Sequence, residues 1–302
     1  MTDETVDPWL QSILSMEVRE VVGGVPCLLP DLDPTHGGYT ALREENKRQK
    51  PVTDEEVEEY LHHMLVPTCG NLFHGVKLKD DYPIPDFPKL PGGAVLDVGC
   101  NWGRWTVAGA LAGHKMVGVD VHLRSLLVAQ RLAEKLVPDN MPLFVLADAR
   151  SLPFREGVFD GAASYSVIQH FSRSNAAIIA GEIGRVLKPG GKSAIQMPNK
   201  HGLKAMLVGA GRRGEGSEFD VRYYAVEELV AMFEAGIGPS GWGVDCFFGL
   251  NVQARDKRFV PASKRWIIDT ADAFLRASKA IPPLRRVADS VWIYSAKDQR
   301  AA

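Results

Sequence analysis

From residue 94 onward, short apolar runs alternate with longer stretches in which apolar residues recur every three or four positions. The runs AVLDVG, KMVGVDV, LFVLADA, GVFDGAASYSVI and GKSAIQMPN read as strands. Between them, GRWTVAGALAGHK (ending near Gly113), RSLLVAQRLAEKLV (stopped by Pro138) and SNAAIIAGEIGRVLK (closed by Pro189, Gly190 and Gly191) read as helices. AVEELVAMFEAG predicts a further helix. Pro261 to Ile281 predicts an amphipathic one, with Trp266, Ile267, Thr270, Phe274 and Leu275 along one side. DSVWIYSAK reads as a final strand. Strands alternating with helices imply a mostly parallel sheet with helices on both faces, a three-layer α/β/α sandwich. In such a sheet a ligand lies beyond the carboxyl ends of the strands, near the switch point.

The first 90 residues follow another rhythm, with prolines at 26, 30, 34, 51, 67, 83, 85 and 88 interrupting any long element. EVREVVGGVPCLLP reads as a hairpin about Gly23 and Gly24. Thr53 to Leu65 reads as a helix: Thr53 caps, Glu56 follows three residues later, and Val57, Leu61 and Leu65 recur at helical spacing. DDYPIPDFPKLPGG reads as an extended linker. The expected organisation is an N-terminal extension over 1–90 and one domain over 91–302.

Composition changes this picture little. At 45% hydrophobic and 24% charged, the 302 residues are those of an ordinary globular protein. No apolar run suits a membrane span and no secretory signal is visible, so a cytoplasmic location is expected. The four cysteines, Cys27, Cys69, Cys100 and Cys246, show no metal-binding or disulfide spacing, and no metal is expected. The net charge of −2 hides an asymmetry: residues 1–90 hold 17 acids and 8 bases, whereas the rest holds 20 acids and 27 bases. That positive balance is too dilute to argue for nucleic acid.

The candidate chemistry gathers at the strand ends. The first strand runs into Asp97, Gly99, Cys100, Asn101 and Gly103. Gly99 permits a tight turn with positive φ, and Gly103 a close backbone approach to a ligand. A dinucleotide fingerprint would place glycine at 101 and 104, where Asn101 and Arg104 stand. Asp97 also repels phosphate and suits an ammonium or sulfonium. Asn101 tolerates left-handed backbone, so the turn can survive. The second strand ends in Asp120 and Val121, 21 residues beyond Gly99 in the case of the acid, where a carboxylate accepts from two ribose hydroxyls. The third ends in Asp148 and Ala149, an acceptor and a donor suited to adenine.

With VLDVGCNWGRW, MVGVDV, FVLADARSLPF, VFDGAASYSVIQHF and EIGRVLKPGGKSAIQMPN in this order, the chain resembles the class I S-adenosylmethionine-dependent methyltransferases over residues 94–199. The resemblance implies a Rossmann-like sheet of seven strands, with VDCFFGLN and DSVWIYSAK as its antiparallel edge. It implies that Asp97, Gly99, Cys100, Asn101 and Gly103 surround the methionine portion of the cofactor, Asp120 and Val121 the ribose, and Asp148 and Ala149 the adenine. Ser164 and Tyr165 join this set. Asn101 departs from the glycine that many members carry. VVGGVPCLLPD also resembles the last strand of a zinc-ribbon-like module stripped of its cysteines; a plain hairpin reads equally well.

On the acceptor side, His170 follows the fourth strand, where a base with near-neutral pKa could act; a hydrogen-bonded wall residue is the alternative. Gln196 stands as a polar residue inside an apolar strand, and Arg222 and Tyr223 lead into a helix where acceptor pockets are commonly built. An arginine there suits an anionic acceptor, or a structural ion pair. Asn199 reads as a turn former. Asn71, Phe73 and His74 could cover the cofactor, and Arg212 with Arg213 suggests a mobile loop. Basic residues around the helix after Pro261 would permit a peripheral membrane contact, or simply a solvated face. The expected activity is methylation of a small metabolite, sugar or glycolipid, at oxygen. The alternatives are a tRNA-modifying methyltransferase, a nicotinamide-dependent oxidoreductase on a similar fold, and a scaffold that only retains the cofactor.

Overall fold

The computed structural model describes residues 6–29, 50–207, 221–249 and 252–299. The Arg212–Arg213 loop and the prolines at 30 and 34 lie outside the described residues. In chain order the elements begin with α1 (Pro8–Ile13), β1 (Val21–Val22), β2 (Val25–Pro26) and α2 (Asp54–Cys69). Next come β3 (Ala94–Val98), α3 (Arg104–Leu111), β4 (Lys115–Asp120), α4 (Leu123–Leu136), β5 (Leu143–Leu146) and β6 (Phe159–Tyr165). The remainder is α5 (Arg173–Val186), β7 (Leu187–Pro198), α6 (Leu203–Leu207), α7 (Val226–Gly236), β8 (Ser240–Cys246), α8 (Arg265–Ser278), α9 (Pro282–Arg286) and β9 (Ser290–Ala296).

Seven strands form one sheet in the order β5-β4-β3-β6-β7-β9-β8. β5 through β7 run parallel, and β9 is antiparallel to both of its neighbours. Side-chain alternation along these strands builds two cores. Leu96, Val98, Ile195, Met197, Val291 and Ile293 join the core under α5 and α7. Val95 and Met116 join the core under α2, α3 and α4. Every residue of β3 is buried, as befits the middle of a sheet covered on both faces.

The N-terminal extension forms as the pattern predicts and shares the second core. The Thr53 hydroxyl accepts from Glu56 N at 3.3 Å and the Glu56 carboxylate accepts from Thr53 N at 2.8 Å, a complete capping box. Val57, Leu61 and Leu65 are buried against α3 and α4. The hairpin β1-β2 turns at Gly23-Gly24 and docks on the open edge of β5, where Leu28 N donates to Leu146 O at 2.8 Å. The proline-rich stretch is extended, but Tyr82, Pro83, Ile84 and Pro85 are buried, so it is a packed strap.

Two expectations require correction. The strand drawn from VDCFFGLN lies upstream, at Ser240–Cys246; Phe247 turns into the core and Phe248 adopts φ 62°, which ends the strand. Helix α8 departs from its expected face at one residue. Ile267, Thr270, Phe274 and Leu275 are half-buried and Ile268 is buried, while Trp266 is 64% exposed and does not share the packed side. A short 3-10 turn at Ala262–Lys264 precedes the helix. Among the described residues no helix is long and apolar enough to cross a membrane, and no cluster of three metal-ligating side chains occurs.

Candidate active site

The loop between β3 and α3 has three consecutive alternate residues in left-handed backbone: Gly99 at φ 76°, Asn101 at 46° and Gly103 at 77°. Gly103 has no room for a side chain, since a Cβ there would stand 2.8 Å from the Ala129 methyl of α4. Asn101 holds the turn through its own amide. Its Oδ1 accepts from Trp102 N at 2.8 Å and from the Tyr60 hydroxyl at 3.5 Å. The loop is closed from outside by Asp120, whose Oδ2 accepts from Asn101 N at 2.9 Å and whose Oδ1 accepts from His122 N at 3.0 Å. Asp120 remains partly accessible, leaving lone pairs for a ligand.

Asp97 sits below this loop, buried, and accepts from the Thr106 hydroxyl at 2.6 Å. Among the described residues it has no ion-pair partner. Burial pushes its carboxyl up to about 7, and the nearby Asp120 charge adds to the rise. The Cys100 thiol beside both acids is raised well above its ordinary value, again mainly by burial. Asp97, Cys100 and Asp120 therefore share one electrostatic neighbourhood, in which Asp97 has no cationic partner among the described residues and His122 stands beside Asp120. A group with an ammonium and a sulfonium fits this donor set, whereas a pyrophosphate does not.

Asp148 is arranged differently. It is fully buried, and its two oxygens accept from Arg150 N, Nε and Nη2 at 2.7 to 3.2 Å. A base reaching this strand end meets an acid already shared with Arg150, next to the buried Ala149. Val121 is half-buried beside Asp120. Ser164 is buried and donates to Val98 O at 2.8 Å, tying β6 to the start of the loop.

The remaining residues gather farther along the sheet. Tyr165 pairs with Gln196, and Gln196 with Trp292, across β6, β7 and β9. Alternation puts all three on the α3 face. Gln196 Oε1 accepts from Ser166 N and Oγ at 3.0 and 2.8 Å, and its Nε2 donates to Asp245 at 3.2 Å. The Tyr165 hydroxyl donates to the same Asp245 oxygen at 3.1 Å, and its ring stacks on Trp105 at 4.5 Å. Trp105, Tyr165, Asp245 and Trp292 line a cavity of about 430 Å³ between α3 and α8. Sequence reasoning passed over Asp245, Trp105 and Trp292. The available signal was an acid flanked by apolar residues in VDCFF.

His170 lies in a 3-10 turn after β6, with Nε2 at 3.4 Å from Gln169 Nε2. Arg222 stitches this turn, donating from N to Gln169 O at 2.9 Å and from Nη1 to His170 O at 2.8 Å. Tyr223 is half-buried beside it, its hydroxyl raised by burial and by the Asp289 charge. Asn199 is the predicted turn former: its amide donates to the carbonyls of Arg286 and Ala288. Of the segment 68–76, Phe73 is buried against Phe259, and Thr68 accepts from Trp102 Nε1 at 3.0 Å, so this end of α2 braces the loop.

Residues 95–191 match the model of a methyltransferase-domain family, Methyltransf_25. An O-methyltransferase of Pyrenophora dematioidea is 36% identical over 107 residues, covering 35% of this chain and 39% of that protein. A tRNA (carboxymethyluridine(34)-5-O)-methyltransferase of Macaca fascicularis is 33% identical over 160 residues, covering 51% of this chain and 22% of that protein. The chain thus spans less than half the length of these relatives. A solved structure, Haemonchus contortus phosphoethanolamine N-methyltransferase 2 with S-adenosyl-L-methionine, aligns with 83% of this chain and 61% of its own at 20% identity and TM-score 0.49.

Proposed function

We propose that this chain, whose residues 95–191 match a methyltransferase-domain family model, is a class I S-adenosylmethionine-dependent methyltransferase that methylates an oxygen of a small acceptor. The observation that carries the reading is Asp97, a buried carboxylate at the end of the central strand with no ion-pair partner among the described residues. We assign Asp97, Gly99, Cys100, Asn101 and Gly103 to the methionine end of the cofactor. Asp120 and Val121 take the ribose, Asp148 and Ala149 take the adenine, and Ser164 and Tyr165 adjoin the reacting end. Bound there, S-adenosylmethionine supplies an electrophilic methyl carbon on sulfur.

The chain's own task is alignment, which alone removes much of the barrier to an in-line displacement. His170 accepts the proton of a poorly nucleophilic hydroxyl. Gln196, Arg222 and Tyr223 line the acceptor side, Arg222 by holding the His170 turn in place. The choice of oxygen follows from the two relatives, both O-methyltransferases. Four dispersed cysteines without pairing spacing fit a cytoplasmic setting.

Calorimetry with S-adenosylmethionine and with a nicotinamide dinucleotide tests the cofactor. Binding of the second and not the first overturns the reading. Transfer of labelled methyl to a panel of hydroxylated metabolites tests the acceptor. The Macaca relative, matched over 51% of this chain, favours tRNA as a second reading. Transfer to tRNA and to none of the metabolites would carry that reading instead.

A further inference from the structure

The cavity between α3 and α8 has a composition that the cofactor does not explain. Its sheet wall carries Tyr165, Trp292 and Tyr294, and Trp105 of α3 closes one side. Trp105 stacks on Tyr165 at 4.5 Å and meets Trp292 edge-on at 5.5 Å; Tyr165 and Trp292 lie 5.4 Å apart, and Trp292 stacks on Tyr294 at 6.4 Å. Opposite Trp292 in the pairing with β8 stands Gly243, whose missing side chain leaves room for the Tyr294 ring: a Cβ there would stand 3.4 Å from Tyr294 Cε2. Four aromatic rings, partly stacked on one another, thus line one cavity.

At its floor is Asp245. Its Oδ2 accepts from Ser290 Oγ at 2.8 Å, Tyr165 Oη at 3.1 Å and Gln196 Nε2 at 3.2 Å, all neutral donors. Burial holds its carboxyl above the usual range despite these bonds. The other charges on the cavity wall are already engaged. Arg104 donates to Pro83 O and Thr68 O and faces Asp256 at 3.8 Å; Asp86 pairs with Arg255, and Asp272 with Arg276. Asp245 is the acid of this wall whose partners carry no charge.

An aromatic box over a carboxylate is a recognition site for an organic cation. Ring quadrupoles attract a positive charge held over their faces, and a desolvated carboxylate attracts it further. A neutral apolar guest would gain only the contacts and would leave the acid unpaired. Resting on the methyltransferase reading, we propose that the acceptor carries a substituted ammonium group that seats among Trp105, Tyr165, Trp292 and Tyr294 above Asp245. Tyr165, at the end of β6, places this box next to the cofactor cleft. The buried Nε1–H of Trp105, which has no acceptor among the described residues, leaves one donor for a polar group of the same molecule.

The test compares choline with its neutral carbon isostere, in which tert-butyl replaces trimethylammonium. Each is titrated into the full chain by calorimetry and by tryptophan fluorescence. Choline is expected to bind at least about tenfold more tightly than the isostere, with the difference lost in Asp245→Asn. Tyr294→Leu, at the exposed rim, is expected to weaken choline several-fold and serves if Asp245→Asn does not fold. Equal affinities, binding of neither compound, or an unchanged preference in the folded variants overturns the proposal. Binding of S-adenosylhomocysteine is measured alongside. Its absence together with selective choline binding would remove the methyltransferase reading and leave the cation box standing.

Discussion

Replacing Asp97 by asparagine separates the two roles of the acid beneath the glycine turn. Asparagine keeps the shape and can still accept from Thr106 through its oxygen, but it cannot ionise. In the folded chain without cofactor, the Asp97 carboxyl is pushed from an ordinary 3.8 up to about 7, mainly by burial. Between those two values the native state holds a proton that the unfolded state has lost. Stability therefore falls as pH rises through that window and levels off above about 7. A rise of this size corresponds to roughly 4 kcal/mol of lost stability at most, at about 1.4 kcal/mol per pH unit.

Asp97→Asn should escape this penalty. In urea denaturation at stepped pH, the difference in unfolding free energy between variant and wild type should grow across the window, with the variant more stable above it. The variant should also bind S-adenosylmethionine more weakly, because the ammonium and sulfonium lose their buried counter-charge. In wild type, cofactor affinity should rise as pH increases toward about 7, because binding draws on the ionised acid. Near pH 6, binding should release a proton, visible as a dependence of the calorimetric heat on the buffer's ionisation enthalpy. A flat difference curve, or a variant less stable than wild type above the window, would refute the claim that burial without a cation dominates at Asp97.

Three other substitutions probe the same region. Asp120→Ala removes the acceptor of Asn101 N and His122 N as well as the ribose contact, and should raise the cofactor dissociation constant at least about tenfold; unchanged affinity by calorimetry sinks that assignment. Gly103→Ala forces a methyl to 2.8 Å from Ala129 Cβ at φ 77°, and should cost about 1–2 kcal/mol or more in denaturant titration. His170→Ala should lower turnover by about a hundredfold or more while leaving cofactor affinity intact, if the ring takes the acceptor's proton; a wild-type rate would leave it only a wall residue.

The parallel half of the sheet was legible because each strand is an apolar run buried on both faces and punctuated by glycine or proline. The capping box at Thr53 and Glu56 was legible because its parts lie three residues apart. The strand-end acids at 97, 120 and 148 followed from the same punctuation, although their surroundings did not: nothing in ADARSL says that Arg150 folds back onto Asp148. The cation box was invisible for a different reason. VWIY alternates bulky residues, and only the pairing order β7-β9-β8 decides that Trp292 and Tyr294 share a face with Tyr165 while Val291 and Ile293 face α5 and α7. Asp245 meets Tyr165 across 80 positions, through a strand whose register shifts between Val244 and Cys246. The misplacing of Trp266 on the packed face of α8 has the same origin. A helical periodicity fixes which residues align but not which surface receives them, and here a small cluster around Ile268 and Val260 docks the helix and leaves Trp266 in solvent. The proposed cofactor contacts lie within a few residues of the strand that presents them, whereas the proposed acceptor contacts are assembled from distant strands. The motif can therefore announce the donor of a methyl group, and only the folded sheet describes its recipient.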